Sequence, residues 1–149
     1  MTGGLGADAF AFGAALGASN IDTITDFNVA ADMLRLNSAI FTALAGTGTL
    51  SLAQFAANAR GTAQDASGRI IYETDTGKPF YDSNGNAAGG SIQFATLAPG
   101  LAPTPTSPSS SKGDRLGGEC SHYLRFAAPG CAIRSQAGVV VQSPPRGRE

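Results

Sequence analysis

Apolar and polar residues alternate in several short segments near the start of the chain, a pattern typical of β-strands with one buried face. The segments are residues 9–12, 23–27 and 32–37. In the first, Phe10 and Phe12 share a face, and in the third Leu34 and Leu36 do so. The pattern therefore predicts three short strands in this part of the chain.

The apolar period changes after these strands. Residues 38–44 fit one helical turn. Ser51 with Gln54 three residues later is a capping box, in which the serine hydroxyl accepts a hydrogen bond from a backbone amide and the glutamine reaches back. The sequence therefore predicts a short helix that begins at Ser51 and ends at Gly61.

Strand-like and turn-like segments then alternate along the chain. The predicted strands are residues 69–74, 79–82 and 91–97, separated by the turn sequences DTGK and SNGN. Ile92 and Phe94 are expected on one face of the last strand. This alternation predicts a β-meander, and the fold class is mainly β with one or two short helices.

Composition divides the chain into two parts. Residues 1–99 carry eight acidic and four basic residues, whereas residues 100–149 carry three acidic and six basic ones. The second part opens with the Pro/Ser-rich run APTPTSPSSSKG and is predicted to be a disordered, low-complexity tail. Its composition also suggests a frameshift at the gene end. Sequencing the locus tests this hypothesis, since an unbroken frame in close relatives would contradict it.

Residues 3–11, GGLGADAFA, match the calcium nonapeptide pattern G-G-x-G-x-D-x-U-x at every specified position. Glycines adopt backbone angles that are closed to other residues and let carbonyl oxygens approach an ion. Asp8 supplies a carboxylate, which a hard cation such as Ca²⁺ prefers. The alternative for this single match is a glycine turn before a strand.

Two further segments follow in a specific order. Residues 22–27, DTITDF, with Asp32, Leu34 and Leu36 resemble the segment after the last repeat of RTX proteins, including the serralysin-type C-terminal domain. Residues 69–97 resemble the hairpin module that closes many such proteins. The resemblance implies the last turn of a parallel β-roll and its cap over residues 1–99, calcium binding, and secretion by a type I system into the extracellular space.

By position, the resemblance makes the Asp8 carboxylate and the backbones of Gly4 and Gly6 calcium ligands. Asp22 and Asp26 lie where the family's cap completes a calcium site, although both also read as solvated carboxylates on a strand. Family sites lie between successive repeats, so this single repeat forms at best half of one. Residues 82–86, DSNGN, resemble the start of an EF-hand loop but lack its later glycine and glutamate, which favours a hairpin turn.

Other activities find little support in the sequence. The chain has one histidine and no HExxH motif, so a zinc protease site is not expected. Cys120 and His122 could be read as a nucleophile pair, but no orienting partner is evident. Basic residues of the tail are scattered, which argues against nucleic-acid binding. No run reaches the ~18 apolar residues expected of a membrane span.

The sequence thus predicts a calcium-binding folding and secretion module without catalysis of its own. The expected partners are calcium ions and, with an intact export signal, the type I secretion machinery. One alternative is the terminal fragment of a secreted hydrolase or protease whose catalytic domain lies upstream, since the chain opens inside an apparent repeat. Another is an adhesin-like surface domain. Sequencing the DNA upstream of the gene would distinguish the folding and secretion module from the terminal fragment of a hydrolase.

Overall fold

A computed structural model describes residues 1–44, 48–101 and 121–125 of the chain. In these residues the backbone forms ten short strands and one 3-10 turn. In chain order they are β1 (Ala9–Phe12), β2 (Asp22–Thr23), β3 (Met33–Asn37), β4 (Gly48–Thr49), η1 (Leu52–Gln54), β5 (Phe55–Asn58), β6 (Ile70–Glu73), β7 (Lys78–Asp82), β8 (Ser91–Gln93), β9 (Ala95–Thr96) and β10 (Ser121–Arg125). The mainly-β prediction is confirmed.

The first sheet has the strand order β1-β3-β10-β4. β1 runs parallel to β3, and their register places Phe10 beside Leu34 and Phe12 beside Leu36. All four side chains are buried, because the alternation that the sequence shows turns them to the same face. This face forms one wall of the core.

The second large sheet has the order β5-β6-β7-β8. β6, β7 and β8 form the predicted antiparallel meander, with Ile70 opposite Tyr81 and Phe80 opposite Gln93. β5 adds to it parallel to β6, which the sequence did not predict. A small third sheet joins β2 to β9 in parallel.

Aromatic rings connect the two large sheets. Phe41 is fully buried and makes edge-to-face contacts with Tyr81 and Phe94, with ring centroids 5.1 and 5.3 Å apart. Phe94 in turn meets Phe12 of β1 edge-on at 5.1 Å. Such pairs add to the hydrophobic burial of the rings, so Phe41 and Phe94 lie at the centre of a single core.

The buried Tyr72 of β6 binds the segment that follows β9 to the second large sheet. Its hydroxyl donates to the carbonyl of Ala98 at 2.6 Å and accepts from the amide of Leu101 at 3.3 Å. The chain beyond β9 is thereby held against β6.

The predicted helix over residues 51–60 is wrong. Only the 3-10 turn η1 forms, and Ser51 makes no side-chain hydrogen bond to the backbone of this turn. Its hydroxyl instead donates to the side chain of Gln54 at 3.2 Å. The chain then extends as β5, because its backbone pairs with β6, and the amide of Arg69 donates to the carbonyl of Gln54 at 2.8 Å.

Three other elements differ from the predictions. Residues 38–44 form turns rather than a helix, and β2 covers Asp22–Thr23, so it includes only one residue of the strand expected over 23–27. The strand expected over 91–97 is interrupted at Phe94, which is 1 % exposed while Ile92 is 39 % exposed. A parallel β-roll is not shown, since the parallel pairs β1–β3 and β5–β6 lie in separate sheets.

Residues 121–125 form a strand in the segment where the sequence predicted a disordered tail. β10 lies between β3 and β4, antiparallel to the former and parallel to the latter. Residues 102–120 and 126–149, including the strand-like run at 138–141, lie outside the described residues.

Candidate metal centre

The glycine-rich loop before β1 folds back onto the turn that follows β2. Gly4 and Gly6 have φ values of 90° and 125°, which side chains rarely allow. The amide of Gly3 donates to Asp26 Oδ1 at 3.0 Å, and that of Gly4 donates to Asp26 Oδ2 at 2.8 Å. Asp26 therefore holds the loop through two charge-assisted hydrogen bonds.

The loop also brings the Asp8 carboxylate against Gly3. A Cβ atom on Gly3 would lie 2.7 Å from Asp8 Oδ2, so only glycine leaves room for that oxygen. Asp8 Oδ2 is buried and accepts no hydrogen bond. Two of the predicted ligands, Asp8 and Asp26, thus approach the same residue, and one carboxylate oxygen has no donor.

Asp32 is the buried carboxylate that fixes this arrangement. It is 2 % exposed and accepts from the amide of Asp8 at 2.9 Å and from that of Asn28 at 2.8 Å. The amide of Met33 also donates to the Asp8 carbonyl at 2.8 Å. Asp32 therefore joins the loop to the start of β3.

Asp22 lies apart from these contacts, on β2, where its backbone pairs with Ala95. The residue lines a small cavity of about 60 Å³ together with Asn20, Phe12 and Phe94. Across the described ranges, no three His, Cys, Asp or Glu side chains are grouped so that they could hold a metal ion. A ligand role for Asp22 stays a prediction.

The loop between β7 and β8 is the predicted turn. The amide of Asn84 donates to Asp82 Oδ1 at 3.1 Å, and the side-chain amide of Asn84 donates to the carbonyl of Ala88 at 3.2 Å. Gly85 has φ 69°. Asp82 is only 4 % exposed, and its contact with Asn84 is the local Asx-type bond of a turn.

Hydrogen bonds from Gly4 and Gly3 lower the pKa of Asp26 below its ordinary value of 3.8. The folded protein then binds fewer protons than the unfolded chain in the acid range. Asp26 consequently contributes stability above the ordinary carboxyl pKa, and this contribution is lost as the pH falls through the lowered value.

We expect Asp26→Asn to reduce this acid sensitivity. The two glycine amides donate to different oxygens of Asp26, and Asn replaces one of these oxygens by an NH2 donor, so it cannot reproduce both bonds. Urea unfolding at about pH 5 and about pH 2.5 measures the effect, and the stability difference between the variant and the wild type should shrink at the lower pH. Asp75→Asn, at an exposed carboxylate whose partner is the Thr74 hydroxyl, is the matched control. A difference that is independent of pH would contradict the role of Asp26.

His122 is a functional candidate that sequence reasoning set aside. Its side chain is 1 % exposed, and Nε2 is buried without a hydrogen-bond partner. Burial lowers the pKa of the imidazole below its ordinary 6.5. The other half of the suggested nucleophile pair, Cys120, lies outside the described residues. The alternation of His122 with Leu124 was the available sequence signal for an inward face.

Comparisons with protein-family models, with curated proteins and with solved structures find no match for this chain. In the part of the chain that the structure describes, no helix is long and apolar enough to cross a membrane.

Proposed function

We propose that residues 1–99 are a calcium-binding folding and secretion module at the C-terminal end of an RTX-type, type I-secreted extracellular protein, with no catalysis of its own. The parallel β1–β3 pair is then the last piece of a β-roll, and the meander of β6, β7 and β8 is its cap. The nonapeptide match at residues 3–11 supports this proposal.

The carrying observation is the pairing of Asp8 and Asp26 around Gly3. A buried carboxylate oxygen without a donor is costly. A divalent cation relieves this cost, since it coordinates the free oxygen and neutralises its charge. The unpartnered Asp8 Oδ2 therefore fits a metal ligand better than a purely structural acceptor.

The ligands present fit a hard cation such as Ca²⁺. Asp8 would contribute its carboxylate, and Gly4 and Gly6 their backbone carbonyls. Asp26 would contribute the lone pairs that its bonds to Gly3 and Gly4 leave free. Asp22 remains a proposed ligand of the cap. Since Ca²⁺ takes six to eight oxygens, water or a preceding repeat would supply the remainder, and affinity in the millimolar range of extracellular modules is expected.

Calcium titration of the full chain tests this function. We expect calcium to increase β-structure by circular dichroism and to raise the unfolding midpoint at millimolar-scale concentrations, with reversal by a chelator. Asp8→Asn should weaken the response, because it removes a charged ligand, whereas Asp75→Asn should leave it unchanged.

Magnesium at equal ionic strength is the ion control, since it demands a small octahedral site. Spectra and midpoints that are unchanged by calcium and chelator would contradict calcium binding by this chain. An equal response of the Asp8→Asn and Asp75→Asn variants would place any binding outside the glycine loop.

A further inference from the structure

Strand β10 is an interior strand of its sheet, although it is remote in sequence from its neighbours. Its register places Leu124 opposite Leu34 and His122 opposite Leu36 of β3, and His122 beside Gly48 of β4. Leu124, Leu34 and Leu36 are each 0 % exposed. Docking of β10 therefore covers the edge of β3 and closes this side of the core.

The one polar side chain known to be buried on β10 belongs to His122, whose Nε2 has no hydrogen-bond partner. A neutral imidazole tolerates this environment, whereas an imidazolium would be a buried and unpaired cation. Protonation is therefore far more costly in the docked strand than in water.

Neighbouring strands offer no compensating negative charge. On β3 the one charged residue is Arg35, which is in register with Tyr123 and so lies on the opposite face from His122. β4 contributes only Gly48 and Thr49, and beyond β3 the strand β1 presents Phe10 and Phe12 to the core.

We propose that β10 is a pH-released closing strand, which completes the sheet while His122 is neutral and leaves the space between β3 and β4 when the imidazole is protonated. Release uncovers Leu34 and Leu36 and frees the backbone groups of β3 that face β10. Release of β10 by protonation of His122 does not depend on calcium, so its test is independent of the proposed calcium-binding function.

The sign of the pH dependence follows from the lowered pKa of His122. The folded state with β10 docked binds fewer protons than the released state, so the docked state is favoured above the ordinary pKa of 6.5. As the pH falls from that value through the lowered pKa, the population of the released state rises by up to about tenfold per pH unit.

Nuclear magnetic resonance and hydrogen exchange on the full chain test the proposal together. The chain has a single histidine, so its imidazole signals report His122 without ambiguity. We expect a titration midpoint below 6.5 and, after correction for intrinsic rates, exchange at Leu34, Leu36 and residues 121–125 that accelerates about tenfold or more between about pH 7 and about pH 5. Protection of residues 70–73 on β6 should persist.

His122→Leu is the decisive variant, because leucine preserves an apolar contact with Leu36 and does not titrate. Its β10 amides should be equally protected at both pH values. A wild-type imidazole that titrates at its ordinary value, or exchange at β3 and β10 that does not change with pH, would overturn the proposal. If the leucine variant fails to fold, the wild-type titration and exchange data decide the question alone.

Discussion

Replacement of Phe41 by alanine is expected to lower the free energy of unfolding by about 3–5 kcal/mol. Phe41 is fully buried, and its ring contacts both Tyr81 and Phe94 edge-on. Truncation removes the transfer free energy of the ring and leaves a cavity between the two large sheets. Chemical denaturation followed by far-ultraviolet circular dichroism measures the loss.

Leu52→Ala is a suitable control for this experiment. Leu52 belongs to η1 and is 72 % exposed, so its truncation should change stability by less than about 0.5 kcal/mol. Phe41→Leu should fall between the two variants, because it keeps an apolar side chain but loses both aromatic contacts. Equal effects of Phe41→Ala and Leu52→Ala would contradict the central position of Phe41.

Gly77→Ala is expected to destabilise the fold by about 2–5 kcal/mol, through two separate causes. Gly77 has φ 74°, which is unfavourable for alanine. An added Cβ would also lie 2.2 Å from the carbonyl oxygen of Leu97, a backbone atom that cannot rotate away. The turn between β6 and β7 would have to separate from the segment that Tyr72 holds. Urea denaturation of the purified variant gives the magnitude.

Gly89→Ala separates these two causes. Gly89 has a similar φ of 79°, but a Cβ there would meet no atom within 4 Å. Only the backbone term, about 1–2 kcal/mol, should remain. The excess loss in Gly77→Ala then measures the close approach to Leu97, and the absence of any excess would show that this contact relaxes freely.

Local patterns predicted the strands that have one clearly apolar face and the hairpin whose turn residues lie between its strands. The alternation of Phe10 and Phe12 gave β1, that of Leu34 and Leu36 gave β3, and the turn residues between β6 and β7 gave the hairpin. In each of these segments the residue preference and the burial in the fold agree, which is why sequence reasoning succeeded.

Long-range pairing explains the failures. Ser51 and Gln54 satisfied a helix-start pattern, but the following alanines extend as β5, because β6 offers hydrogen bonds that a short isolated helix could not match. Phe94 leaves the alternation of β8 because the core takes its ring between Phe12 and Phe41. Neither partner is visible in the local sequence.

The candidate site was predictable in part. The nonapeptide match identified Asp8 and the glycines, and the order of the segments identified Asp26. No local pattern indicated that Asp26 would accept from the amides of Gly3 and Gly4, while Asp22 would pair with β9. The two aspartates are four residues apart, and only the path of the chain through β2 and its turn separates their roles.

The parallel pairing of β2 with β9 bears on when this chain can fold. It joins residue 22 to residue 95, so the small sheet cannot close before nearly the whole described region is available. Contacts of this sequence separation slow the search for the native state, and β-rich topologies of this kind typically fold in milliseconds to seconds. A chain that emerges from the ribosome N-terminus first would therefore leave Phe12 without Phe94, and Ile24 without Thr96, until synthesis of residues 94–97. That interval is when the nascent chain is most exposed to aggregation and to chaperones.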